Sequence, residues 1–217
     1  MKGIARIPLF LALGVSAWLL AQTPAGSFDD RTDVGNPALK GSAEYNPATG
    51  EYRLTGAGAN IWANSDQFCF LWRKLSGNVR MQATVRFIGT GKIAHRKAGL
   101  MLRKSLEGGS PYVDVVVHGS GLTSLQFREK QDEITREFQF PVNAAARLAI
   151  EHRGNLYTVW LANEGAPFEK AGSIEGRIDG DVYAGLFICS HDAETLETAV
   201  FSDVLIEPLG EARGAKK

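Results

Sequence analysis

The chain is punctuated too often for helices. After residue 25 no stretch sustains helical periodicity, and short runs rich in Val, Ile, Phe, Tyr and Trp alternate with Gly, Asn, Asp and Pro. Eleven runs read as strands: 51–54, 68–72, 79–88, 98–103, 112–118, 122–128, 134–140, 147–152, 157–162, 182–190 and 198–206. Turn signals stand between them, among them Asn46-Pro47, Gly89-Thr90-Gly91, Gly108-Gly109-Ser110-Pro111, Gly119-Ser120-Gly121, Gly154-Asn155 and Asp179-Gly180-Asp181. Strands this close together, with no helices to carry crossovers, pair antiparallel with near neighbours. Two such sheets hide their apolar sides against each other. The expected fold class is all-β, an antiparallel two-sheet jelly-roll sandwich.

The first 25 residues are a different kind of segment. Lys2 and Arg6 precede an apolar run over 7–20, which is a charged region and a hydrophobic region of signal-peptide type. The run is shorter than the ~20 residues that span a bilayer, and an uncleaved anchor is the alternative. Cleavage is expected after Ala21 or Ala25. The organisation read from the chain is thus a signal peptide over 1–25, a sandwich over 26–208 and a disordered tail over 209–217, in a secreted or periplasmic protein. Lys plus Arg and Asp plus Glu number 24 each, so the basic face that nucleic acid requires is missing. Export would permit a disulfide between the two cysteines, Cys69 and Cys189, but both lie in strand-like runs and read as separate buried thiols.

One hairpin can be registered. A two-residue loop at Ser120-Gly121 would set Val115 opposite Gln126, mixing apolar and polar residues on one face. A three-residue loop, Gly119-Ser120-Gly121, sets Val115 opposite Leu125 and Val113 opposite Phe127, with Gly121 at the left-handed position. Asp114 then faces Gln126, Tyr112 faces Arg128, and His118 stands at the mouth. Leu100, Leu102, Phe138 and Phe140 read as core, which leaves Arg103, Glu137 and Gln139 on the polar side. The candidate ligand-binding face is Arg103, Tyr112, Asp114, His118, Gln126 and Arg128, because arginine, aromatic and amide groups suit sugar hydroxyls or carboxylates. The alternative is an ordinary solvated sheet face. If the face binds, Arg128→Ala is expected to abolish affinity and spare the fold.

Four stretches carry a resemblance: Gly56-Ala57-Gly58-Ala59-Asn60-Ile61-Trp62, His95 to Arg103, His118 to Arg128, and Gly185 to His191, with Ala199-Val200-Phe201-Ser202-Asp203-Val204 as a closing strand. From about Phe28 to Ile206 the chain resembles a bacterial concanavalin A-like family, often labelled "regulation of enolase" or left as a domain of unknown function. The resemblance implies a jelly roll of the lectin and glucanase kind. It brings no established activity, and the label names no mechanism.

Catalytic patterns are sparse. Retaining glucanases need two carboxyls about 5–5.5 Å apart, and no strand here spaces carboxylates i, i+2, i+4. Asp114 has no acidic partner on its strand, although Glu137 could approach from a neighbour. His95, His118, His152 and His191 show no metal-binding spacing. His95 beside Arg96-Lys97 reads as a solvated basic loop, while His118 and His191 could line one rim. Trp62 reads as core, with a sugar-stacking platform as the alternative; Trp72 and Trp160 read as structural. Asp29, Asp30, Asp33 and Asp203 read as turn residues, with a structural calcium as the alternative; no other cofactor is expected. The function expected is a non-catalytic glycan-binding module, with an enzyme acting on a sugar derivative or a structural and protein-interaction domain as alternatives. The expected partner is a carbohydrate, with no nucleic acid and, after cleavage, no membrane.

Overall fold

A computed structural model describes residues 26–176, 178 and 180–210. The expected signal peptide and residues 211–217 of the expected tail lie outside them. Sixteen strands follow in order: β1 (Asp30–Val34), β2 (Ser42–Asn46), β3 (Glu51–Gly58), β4 (Ile61–Trp62), β5 (Ser65–Asp66), β6 (Phe68–Leu75), β7 (Asn78–Ile88), β8 (Lys97–Arg103), β9 (Tyr112–His118), β10 (Thr123–Arg128), β11 (Arg136–Gln139), β12 (Arg147–Arg153), β13 (Leu156–Ala162), β14 (Glu169–Glu175), β15 (Val182–Cys189) and β16 (Asp192–Leu209). Seven form one sheet in the order β1-β6-β15-β8-β9-β10-β11, and seven form the other in the order β14-β13-β12-β7-β16-β3-β2. Strands β4 and β5 make a separate two-stranded hairpin. The all-β, two-sheet sandwich expected from the sequence is the fold observed.

The β9–β10 hairpin takes the three-residue register. Leu125 pairs with Val115, Gln126 with Asp114, Phe127 with Val113 and Arg128 with Tyr112. Gly121 closes it at φ 91°, a backbone region that side-chain-bearing residues rarely adopt. Leu100, Leu102, Val113, Val115, Leu125 and Phe127 pack into the main core against Met81, Leu148, Ile150 and Phe201 of the facing sheet. Phe140 packs on the rim of this core. Phe138, expected inside, is 54% exposed. It sits on β11, the edge strand, where it stacks on Phe127 at 5.8 Å from the outside.

The cysteines are free and buried. Cys69 opposes Ile188 across β6–β15, so Cys189, one residue further, points to the opposite face. Cys69 accordingly belongs to the core between the sheets and Cys189 to a second cluster on the far side. No side-chain rotation lets them meet.

That far side corrects the sequence reading. An antiparallel sheet with one dry face was expected, yet every residue of β8, β9 and β10 is buried. Val34, Ile61, Phe68, Phe70, Met101, Tyr112, Val116, Phe187 and Cys189 form a second apolar cluster there. The cover includes the β4–β5 hairpin, which contributes Ile61. The chain turns into it at Gly58, whose φ is 137° and where a Cβ would stand 1.9 Å from the Gln67 carbonyl oxygen, so only glycine fits.

Candidate functional site

The two arginines expected to meet ligand instead hold the hairpin down. Asp66 on β5 is fully buried, as are Arg103 and Arg128. Arg128 grips Asp66 bidentately, Nη1 donating to Oδ2 and Nη2 to Oδ1, both at 2.8 Å. Arg103 Nη1 donates to the same Oδ2 at 3.2 Å. The remaining guanidinium hydrogens go to backbone carbonyls. Arg103 donates to Ser105 and Glu107; Arg128 donates to Glu133, Gly108, Ser110 and Ala63, and to the Thr135 hydroxyl. The Tyr112 ring lies under both, 5.9 Å from the Arg103 guanidinium carbon and 5.1 Å from that of Arg128. Its hydroxyl bonds Thr135 Oγ1 at 3.1 Å. Two buried cations on one carboxylate persist because carbonyl dipoles take up the rest of the charge. Arg103, Tyr112 and Arg128 therefore do not line an open face, and Arg128→Ala would strip seven hydrogen bonds from the interior.

Beside this network the register builds a polar row: Asp114 opposes Gln126, and Gln126 opposes Glu137. Asp114 Oδ1 accepts the Gln126 backbone N–H at 3.3 Å. Its Oδ2 and the Gln126 Oε1 are both buried acceptors without a donor. Burial pushes the Asp114 carboxyl well above the usual carboxylate range. Protonation would turn the unpaired Asp114 oxygen from an acceptor into a hydroxyl donor. Gln126 Nε2 donates onward to Glu137 Oε1 at 2.8 Å, beside Ser124 Oγ at 2.8 Å, while Gln139 Nε2 donates to Glu137 Oε2 at 2.8 Å. Partial burial alone would raise the Glu137 pKa; the donors from Gln139, Gln126 and Ser124 outweigh it and hold the carboxylate below its ordinary value. Burial thus pushes the Asp114 carboxyl up, while side-chain donors hold that of Glu137, two strands away on β11, down.

This row opens into a cleft of about 230 Å³ lined by Asn60, Trp62, His95, Lys97, His118, Leu122, Gln126, Glu137, Gln139 and His191. Lys97 pairs with His118 across β8–β9. Its Nζ donates to Asn60 Oδ1 and the Ile61 carbonyl, each at 2.9 Å, and lies 5.6 Å from the centre of the Trp62 ring. Burial lowers its pKa. His95 touches His118 and His191, with ring centroids 6.0 and 5.5 Å away. His118 Nδ1 lies 3.1 Å from the Leu122 carbonyl oxygen. A carbonyl only accepts, so Nδ1 carries the hydrogen and Nε2 keeps its lone pair. Burial, aided by Lys97, lowers the His118 pKa to about 4 and also lowers that of His191. Both are neutral at physiological pH.

Of the six residues singled out by sequence, His118 and Gln126 reach the cleft, and Asp114 stands in the row behind it. His118 and Asp114 have separate partners, the Leu122 carbonyl and the Gln126 N–H. His95, exposed on the turn before β8, lines the cleft, whereas its neighbours Arg96 and Lys97 are buried rather than solvated. Arg96 donates to Glu197 at 2.6 Å and lies over Phe87 at 4.4 Å. Trp62 is 37% exposed on the rim, not in the core. Asp29 caps the Lys74 N–H, Asp33 pairs with Arg31, and Asp203 accepts from Thr84. Among the described residues no group of three or more His, Cys, Asp or Glu is placed to hold a metal ion.

Solved structures share this architecture. A functionally unknown protein from Saccharomyces cerevisiae aligns with TM-score 0.61 and 14% identity over 83% of this chain and 97% of its own. A carbohydrate binding module from Bacillus subtilis aligns with TM-score 0.52 and 15% identity over 83% and 97%. A β-1,3-1,4-glucanase (lichenase) from a mouse hindgut metagenome aligns with TM-score 0.53 and 9% identity over 85% and 97%. At these identities the likeness is one of fold: a two-sheet jelly-roll sandwich. No family model and no curated protein matches the chain.

Proposed function

We propose that this protein is an exported, non-catalytic glycan-binding module whose site is the cleft between the β4–β5 hairpin and the β8–β11 end of the first sheet. The observation that carries the reading is the convergence, in one hollow of about 230 Å³, of an exposed indole, three imidazoles, three amides and a carboxylate already oriented by three donors. Trp62 offers an apolar face for a sugar ring, and the amides, His118 Nε2 and Glu137 offer partners for hydroxyls. Carbohydrate-binding and carbohydrate-cleaving jelly rolls among the structural neighbours support the ligand class, as analogy from fold. The cleft lining contains one carboxylate, whereas glycoside hydrolysis commonly uses two; this supports binding without cleavage. The charged and then apolar N-terminal segment supports export to the periplasm or medium. The relationship to the "regulation of enolase"-labelled family rests on the sequence stretches that resemble it.

Arg103, Tyr112, Asp114 and Arg128 serve this site from beneath, by fixing the hairpin that carries Trp62 and the row that aims Glu137. The test is a glycan array with the mature protein beside Trp62→Ala and Gln139→Ala. Binding that falls at least about tenfold in both variants supports the cleft. A bound glycan indifferent to both substitutions would place the site elsewhere.

A further inference from the structure

We infer that the ligand is a neutral, hydroxyl-bearing sugar and that the cleft discriminates against uronates and other anionic glycans; this rests on the glycan reading above. The inference follows from where the cations are. A carboxylate ligand is recognised best by an arginine fork presented to it. The two arginines on this face, Arg103 and Arg128, are 0% and 1% exposed and spend their hydrogens on Asp66 and on backbone carbonyls. Arg96 is turned to Glu197 and to the Gly89 and Thr90 carbonyls. The one cation in the cleft lining is Lys97, itself 3% exposed. Two of its three ammonium hydrogens are already accepted by Asn60 and Ile61.

The groups that do face the cleft point the other way. Glu137 is held ionised, and three donors occupy three of its roughly four lone-pair sites. One acceptor site on Oε2 remains for a ligand hydroxyl. His118 and His191 are neutral and bring no positive charge. A ligand carboxylate here would meet a fixed carboxylate, and the only lysine or arginine among the described lining residues is the buried Lys97 with two of its hydrogens taken, while a hydroxyl meets acceptors and donors it can satisfy. Selectivity thus comes from a repulsive group as much as from attractive ones.

The experiment is isothermal titration of the mature protein with matched oligosaccharides: gluco-, manno- and xylo-oligosaccharides against oligo-mannuronate and oligo-galacturonate. The expected result is neutral binding at least about tenfold tighter than uronate binding, with Glu137→Gln narrowing the gap by improving uronate affinity. Neutral binding is also expected to change less than about twofold between low and high salt, because screening acts on charge pairs. Tighter binding of the uronates overturns the ligand class and leaves the glycan reading standing. Binding of neither class removes the glycan reading, and this inference with it. Gln139→Glu, on the same exposed edge strand, is a second variant, expected to widen the discrimination.

Discussion

Replacing Asp66 by Asn tests the pin that holds the β4–β5 hairpin. The change preserves shape and removes one negative charge, leaving the fully buried guanidiniums of Arg103 and Arg128 without a counter-ion. The Asn amide would also turn a donor toward a donor. Breaking a buried ion pair by removing one partner costs about 3–5 kcal/mol, because the surviving charge stays desolvated. A domain of this size shifts by roughly 2–4 °C per kcal/mol, so the melting temperature should fall by roughly 6–20 °C. Urea unfolding followed by tryptophan fluorescence gives the free energy directly. Adding Arg103→Met and Arg128→Met to Asp66→Asn should recover much of the loss, since apolar replacement of a whole buried charge cluster is often neutral. A loss under about 1 kcal/mol in the single variant would refute the pin.

Asp114→Asn places an amide donor where a protonated carboxyl would carry a hydroxyl. Because the folded-state pKa of Asp114 is raised, its contribution is full below the unfolded value near 4 and is lost as pH rises; the variant should therefore gain on wild type as pH increases, and a pH-independent difference between the two melting curves would contradict this. His118 works in the opposite direction: held at about 4 against about 6.5 unfolded, it contributes up to roughly 3 kcal/mol above pH 6.5 that is lost as pH falls toward 4. His118→Gln in the Asp114→Asn background should flatten the acid limb of stability, and an unchanged slope between pH 7 and 4.5 would count against a neutral buried imidazole. Burial pushes both thiols up to about 11, so a thiol reagent should leave Cys69 and Cys189 untouched in the native protein and modify both after denaturation; rapid native reaction of either would contradict the packing.

Much of the sandwich was legible because strand periodicity is local. Alternating valines in β9 and the choice of a three-residue loop set the hairpin register, and that register alone put Asp114 opposite Gln126. The face those residues share was misread as open. What covers it includes a hairpin of two-residue strands, β4 and β5, too short to show any period. Asp66, the residue that pins it, lies 37 and 62 residues from its two arginine partners, and nothing in its neighbourhood signals a buried charge. The cleft was half visible. Starting β8 at Ala98 left out Lys97, although the alternation Lys97, Gly99, Met101, Arg103 would have put it on the polar side beside His118. Phe138 was misplaced for a different reason: its alternation is that of a core strand, but β11 is an edge and its apolar side overhangs the sandwich.

The most direct measurement of where ligand binds is side-chain NMR of the mature protein, titrated with the neutral oligosaccharide that the array selects. A cleft site moves the imidazole resonances of His95, His118 and His191 and the Trp62 indole N–H, while the Nε resonances of Arg103 and Arg128 stay in place. Arginine resonances that shift while the histidines remain still would contradict the assignment, and would mean that the hairpin lifts to expose the network it covers.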